Sequence, residues 1–151
     1  MRSKTKPYKK SITEELAEAI SSLNIAEISR LLSENGKFAM QNEKYEVILS
    51  DKDRFIGWLS SCYRKSVPVW RFRKRLKFNI IKSMHCPAGN PVLIFEDGRF
   101  PLFSGNQARS EKSGFVVISD NNQITEIELC FLIVKTECPV IYEKRCLKPD
   151  L

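Results

Sequence analysis

One histidine, His85, stands beside Cys86 in the run His85-Cys86-Pro87-Ala88-Gly89-Asn90-Pro91. An imidazole with a free pKa near neutrality can act as a general base or ligate a metal. Either role needs a carboxylate to orient the ring, and the sequence places none beside it. The plainer reading is a strand-end histidine with ordinary hydrogen bonds. Cys86 does not form a nucleophile pair with it, because neighbours on a strand point to opposite faces. Cys86 and Cys130 fall at or near strand positions, where a buried thiol behaves as a small hydrophobe. The five cysteines (62, 86, 130, 138 and 146) are an odd set with no C-x-x-C pair. Neither a metal site, a cofactor nor a disulfide framework is expected from them.

Carboxylates are the other candidates. The aspartates at 51, 53, 97, 120 and 150 fall in helix caps, turns and the tail, none on an alternating strand. Glu126 and Glu128 lie on a strand-like run and are best placed to face a cavity mouth, with a solvated strand end as the bland alternative. Catalytic residues are thus unassigned, with His85 and Glu128 as the candidates. No P-loop, G-x-G-x-x-G or H-E-x-x-H occurs, so nucleotide-dependent and metalloprotease chemistry have no support.

Arg71, Arg73, Arg75 and Lys77 form a stripe at spacing two. On a strand they would project from one face about 7 Å apart and could track phosphates. Trp70 and Phe72 interleave with them but would point to the other face, which weakens a stacking platform. A solvent-facing strand, or a dimer face matching Glu126 and Glu128, is the simpler reading. The net charge of +7 is concentrated here: residues 64–77 carry seven cations and no acid, and residues 1–10 carry five. The remainder is therefore net −5 (7 − 5 − 7), so basicity is local.

A chain of 151 residues is read as one domain. Its 42% hydrophobic and 28% charged content fits a globular protein. Residues 1–10 have the composition of a disordered arm, 11–146 form the domain, and 147–151 a tail. The basic start is followed by Thr13-Glu14-Glu15, not by an apolar signal core. The longest apolar run, 129–134, is far too short for a membrane span. A soluble, cytoplasmic protein is expected.

The elements follow from periodicity. Ser11 or Thr13 caps a helix whose Leu16, Ala19, Ile20 and Leu23 share one face. Asn24 restarts a second helix through Ile25, Ile28, Leu31 and Leu32, ending at Asn35-Gly36. Short strands are expected at 37–40 and 45–49. Ser50-x-x-Asp53 then opens a helix with Phe55, Trp58, Leu59 and Cys62 as its buried stripe. After Pro68 the period becomes two, with Trp70, Phe72, Leu76, Phe78 and Ile80 on one side and a bulge expected near Ile80-Ile81. Val92–Phe95 reads as a central strand, Asp97-Gly98 as a turn and 104–113 as a loop. Runs 115–118 and 124–134 form a hairpin through a loop at 119–123. In the last run Ile127, Leu129, Phe131 and Ile133 face one way, and Glu126, Glu128 and Cys130 the other.

Helices first and a curled sheet after is the order found in one superfamily. The segments IAEISRLLSENGKF, LSDKDRFIGWLSS, CPAGNPVLIFEDGRFP and GFVVISDNNQITEIELCF span most of residues 12–134. In order and texture they resemble the nuclear transport factor 2-like superfamily, which includes ketosteroid isomerases and polyketide cyclases. The resemblance implies an α+β cone: N-terminal helices packed in a strongly curved antiparallel sheet around a pocket. It also implies a small apolar ligand, with Trp58, Phe78, Cys86, Phe95, Cys130 and Phe131 as pocket residues, and a homodimer through the outer sheet face. The alternatives are a lyase or isomerase acting on a small hydrophobic substrate, and binding of nucleic acid or an acidic protein through the stripe at 71–77. Fold alone does not choose among them.

Overall fold

The helix-period pattern after residue 11 becomes α1 (Ile12–Ser21), with Leu16, Ala17, Ala19 and Ile20 buried. Ser11 is its cap: the side-chain oxygen accepts from the Glu14 amide at 3.2 Å. The helix closes with Leu23 in the left-handed region at φ 51°. The Asn24 amide donates back to Ala19 O at 2.8 Å and that of Leu23 to Ile20 O at 3.0 Å, a Schellman closure. Asn24 then caps α2 (Ile25–Leu31), accepting from the Glu27 amide at 3.2 Å. The chain belongs to a computed structural model that describes residues 10–44, 46–66, 76–82, 89–95, 100, 111–135 and 138–144.

Past this point the chain departs from the sequence expectation. The second helix does not run on to Asn35-Gly36; it ends at Leu31, and Leu32 already opens β1 (Leu32–Gln41). Gly36 is a packing glycine, not a helix stop. A Cβ built there would lie 2.3 Å from Phe38 Cζ and 2.9 Å from the Thr125 carbonyl oxygen. The register of β1 shifts between Leu32 and Lys37, and the bare backbone of Gly36 lets the strand close again on its neighbour.

The other strands are β2 (Val47–Ser50), β3 (Phe78–Ile81), β4 (Val92–Phe95), β5 (Glu111–Asp120), β6 (Gln123–Lys135) and β7 (Cys138–Lys144), with α3 (Lys52–Ser66) between β2 and β3. Asp51, not Ser50, caps α3, accepting from the Arg54 amide at 2.9 Å. Ser50 is buried and donates its hydroxyl to Phe38 O at 2.9 Å.

The sheet order is β2-β1-β6-β5-β4-β3, with β7 also on β6. The sheet is mixed rather than wholly antiparallel, because β1 pairs with β6 in parallel. Since β5 lines one edge of β6 from Gln123 to Ile133, β1 (opposite 124–127) and β7 (opposite 130–135) share the other edge. Three sequence expectations are corrected here. The β5–β6 turn is two residues, Asn121-Asn122, not five. Residues 111–113 are strand, not loop. The β3–β4 ladder runs unbroken from Phe78↔Phe95 to Ile81↔Val92, so no bulge occurs at Ile80-Ile81. Strand β7 carried no period-two signal strong enough to be expected.

Alternation sorts the strand residues onto two faces. Phe38, Leu93, Phe95, Phe115, Val117, Ile127 and Leu129 join Leu16, Ile20, Ile28, Leu31, Phe55 and Leu59 of the helices in the main core. Val92, Ile94, Val116 and Cys130 form a second cluster on the outer face, with Ile81 and Ile118 packed against it. Both faces of β4 are buried, which explains why Val92–Phe95 is apolar throughout.

Candidate functional site

The inner sheet face carries a connected set of aromatic rings. Phe38 on β1 meets Phe55 on α3 with centroids 5.4 Å apart. Phe55 meets Phe115 at 6.0 Å, and Phe115 meets Phe95 at 6.4 Å, both edge to face. Phe95 in turn meets Phe78 at 6.3 Å and Phe100 at 4.8 Å. Trp58 bridges Phe55 at 5.9 Å and Phe115 at 6.3 Å. The four-residue step from Phe55 to Leu59 and the three-residue step from Phe55 to Trp58 put these side chains on one stripe of α3. Edge-to-face contact matches the positive rim of one ring to the negative face of the next.

Burial grades across this set. Phe38, Phe55, Phe95, Phe100 and Phe115 are fully buried. Trp58 and Phe78 are only partly buried, as are Ile12, Tyr63, Leu76 and Ile80, which pack against the same core. The partly buried members of the apolar set thus come from α1, α3 and the edge strand β3. The Leu76 amide donates to Ser21 O at 3.1 Å, which ties the entry to β3 against the end of α1.

No charged residue is buried among the residues whose burial is described. The buried polar residues are Thr13, Ser21, Gln41, Ser50 and Ser60. The hydroxyls of Ser21, Ser50 and Ser60 each donate to a backbone carbonyl, of Glu18, Phe38 and Ile56 respectively. Among the described residues the ionisable groups with shifted pKa are Lys10, just before α1, and Glu27 and Arg30 of α2, all of them at the surface. A hydrogen bond from Arg30 holds Glu27 below its usual range, and Glu27 raises Arg30. Glu18 raises Lys10, with which it pairs at 2.7 Å. Among the described residues no group of histidine, cysteine, aspartate or glutamate is placed to hold a metal ion, and no helix is long and apolar enough to cross a membrane. The described inner face can therefore exclude water and hold apolar groups; the ionisable side chains that pack in or against it are the buried Cys62 thiol and the partly buried Tyr63 phenol.

Of the pocket residues expected from the sequence, Trp58, Phe78 and Phe95 come together on this face. Cys130 does not. It packs with Val92, Ile94 and Val116 on the opposite side of the sheet, because it is one residue out of phase with Leu129. Glu128, the candidate base, shares that outer phase, half-buried and paired across from Val116; the sheet separates it from Trp58 and Phe95. Glu126 is exposed. Phe131 sits at the register position opposite Ser113 in β6. His85, Cys86, Arg71, Arg73, Arg75 and the Asp97-Gly98 turn lie outside the described residues. Lys77 is exposed just before β3. Phe38, Phe55, Phe100 and Phe115 belong to the ring set and were missed as site residues. The run Phe115-Val116-Val117-Ile118 was apolar in both phases, so alternation could not say which side Phe115 took.

Helices held against the inner face of a twisted mixed sheet define an α+β cone. Compared with known proteins, the chain has the nuclear transport factor 2-like fold. It is similar to a nuclear transport factor 2-like protein of unknown function from Cytophaga hutchinsonii, with a TM-score of 0.50 and 12% identity over 85% of this chain and 94% of that one. A hypothetical protein with a ketosteroid isomerase-like fold from Catenulispora acidiphila, in complex with trimethylamine, has a TM-score of 0.48 and 8% identity over 81% of this chain and 85% of its own. No family model and no curated protein matches the chain.

Proposed function

We propose that the protein binds a small, largely apolar and uncharged ligand at the inner face of the cone, at the end where Trp58 and Phe78 are partly exposed. The observation that carries this reading is the grading of one aromatic set from full burial at Phe115 to partial burial at Trp58 and Phe78, with no buried carboxylate, lysine or arginine among the residues whose burial is described. Such a surface rewards removal of apolar area from water, at about 25 cal/mol per Å², and penalises an unpaired charge. A lyase or isomerase acting on the same ligand needs a base on this face, and Glu128 is on the other.

The test uses a neutral apolar fluorophore, N-phenyl-1-naphthylamine. Trp70→Phe leaves Trp58 as the sole tryptophan, because the chain has two. Saturable energy transfer from Trp58 to the probe, weakened tenfold or more by Phe78→Ala, is expected. Transfer that never saturates, or that Phe78→Ala leaves unchanged, would refute the reading.

The homodimer through the outer sheet face belongs to the same proposal. Val92, Val116 and Cys130 are already fully buried within one chain, so the contact would use Ile81, Ile118 and Glu126 around them. Light scattering should give twice the chain mass, falling to the chain mass with Ile118→Lys; a monomer at high concentration would discard it.

A further inference from the structure

The sequence holds eight asparagines, and only Asn35 is followed by glycine. That pair lies in the stretch of β1 that leaves its ladder. Leu32 pairs with Ile124 and Lys37 with Glu126, so five steps along β1 (32 to 37) pass two along β6 (124 to 126). Residues 33–36 have no register partner in β6 or β2. Asn35 is exposed, and among the described residues no hydrogen bond holds its side chain. Gly36 has no side chain to shield its own backbone nitrogen. Nor can a larger residue take its place without a shift in the strand, because a Cβ there would lie 2.3 Å from Phe38 Cζ and 2.9 Å from the Thr125 carbonyl oxygen. The packing of β1 therefore retains a dipeptide in which a side-chain amide and a bare neighbouring backbone nitrogen can react.

We propose that Asn35 is a self-modifying site, which converts spontaneously to isoaspartate and so loosens the closure of β1 on β6. The Gly36 backbone nitrogen, once deprotonated, attacks Asn35 Cγ. A bond forms between them, and the side-chain nitrogen leaves as ammonia. Water then opens the resulting five-membered imide. Cleavage between the Gly36 nitrogen and Cγ gives aspartate. Cleavage between that nitrogen and the main-chain carbonyl carbon of residue 35 gives isoaspartate, whose backbone runs through Cβ and Cγ. One water is consumed and one ammonia released, and nothing is oxidised or reduced. The isoaspartyl link lengthens the main chain by one carbon–carbon bond, about 1.5 Å, immediately before Gly36. Lys37 and Phe38 resume the pairing with β6 at Glu126 and Ile127, and Phe38 is fully buried. An added step there misplaces a ring in a close-packed core. The product carboxylate also stands next to Glu34, whose partner is Lys52 at 2.7 Å.

The experiment ages the intact protein in warm, mildly alkaline buffer well below its melting point. Peptide mass spectrometry follows the mass gain from amide to acid, and enzymatic methylation of isoaspartyl carboxylates by S-adenosylmethionine identifies the isomer. Asn35 should convert at least about tenfold faster than any other asparagine, since no other precedes the unhindered nitrogen of a glycine. The rate should rise with pH, because the attacking nitrogen must lose its proton. The isoaspartyl fraction, isolated by chromatography, should melt several degrees below fresh protein. Asn35→Asp adds the same charge on an ordinary backbone and should melt within about 2 °C of wild type. Asn35→Gln should neither gain mass at this position nor lose stability on ageing. If Asn35 stays an amide in the folded protein while it converts in urea-unfolded protein, the strand holds the reacting atoms apart and the proposal is overturned. Aspartate as the sole product overturns it, as does an isoaspartyl fraction that melts with fresh protein. Equal loss of stability on ageing in Asn35→Gln overturns it too.

Discussion

Phe115 is the hub of the ring set, and replacing it separates two sources of stability. It is fully buried and touches Phe55, Trp58 and Phe95 with centroids 6.0, 6.3 and 6.4 Å away. Phe115→Ala removes the ring and leaves a cavity, a change that costs about 3–5 kcal/mol. In a chain of 151 residues, 4 kcal/mol lowers Tm by about 12 °C. Phe115→Leu keeps most of the volume, and a volume-conserving swap costs under about 1.5 kcal/mol. It also removes three aromatic contacts, each worth about 0.5–1.5 kcal/mol beyond area. The expected cost of Phe115→Leu is therefore at least about 2 kcal/mol, distinctly above the swap alone. Urea denaturation with unchanged m-values measures both. A double-mutant cycle with Phe55→Leu should return a coupling of about 1 kcal/mol, while the same cycle between Phe38 and Phe78, which share no ring contact, should be additive within about 0.5 kcal/mol. A cost below about 0.5 kcal/mol for Phe115→Leu, or no coupling to Phe55, would refute the claim that the rings form one edge-to-face network.

Gly36→Ala should cost at least about 2 kcal/mol, since the new methyl meets both the Phe38 ring and the Thr125 backbone; a melt within a degree of wild type would count against the close approach. Asn122→Gly should stabilise by about 0.5 kcal/mol. Asn121 and Asn122 have φ of 51° and 63°, the type I′ geometry in which glycine follows asparagine best, and a lower Tm would argue against that turn. Glu27 has a depressed pKa because Arg30 bonds to it, so the stabilisation from the pair is present above the ordinary glutamate range and is lost as pH falls through the folded-state value. NMR titration should show the Glu27 midpoint rising in Arg30→Gln; an unmoved midpoint would sever the link.

Where the sequence had local, strongly periodic signals, the structure agrees with it. Ser11 and Asn24 were readable as caps because a short polar side chain before an apolar stripe has few other uses. Trp58, Leu59 and Cys62 were readable as one stripe for the same reason. Gly36 misled because Asn-Gly after a helix usually ends it; the demand for a bare Cα came from Phe38 and Thr125, the latter far along the chain. Cys130 misled in a different way. Its phase was readable, but the outer face of β4–β6 is as apolar as the inner one, so burial did not reveal the side. The parallel β1–β6 pair was illegible because register between distant strands has no local signature.

That parallel pair also sets an order of events. Leu32 and Phe38 find their partners at Ile124 and Ile127, about ninety residues later. Contacts at such separation are closed late and slowly. During synthesis the helices and the β1–β2 hairpin emerge first, yet Phe38 and Phe55 lack their cover until β5 and β6 leave the ribosome. The N-terminal half must wait with its aromatic face exposed. Substitutions that weaken β6 prolong that exposure and should reduce the yield in cells more than equilibrium stability alone would suggest.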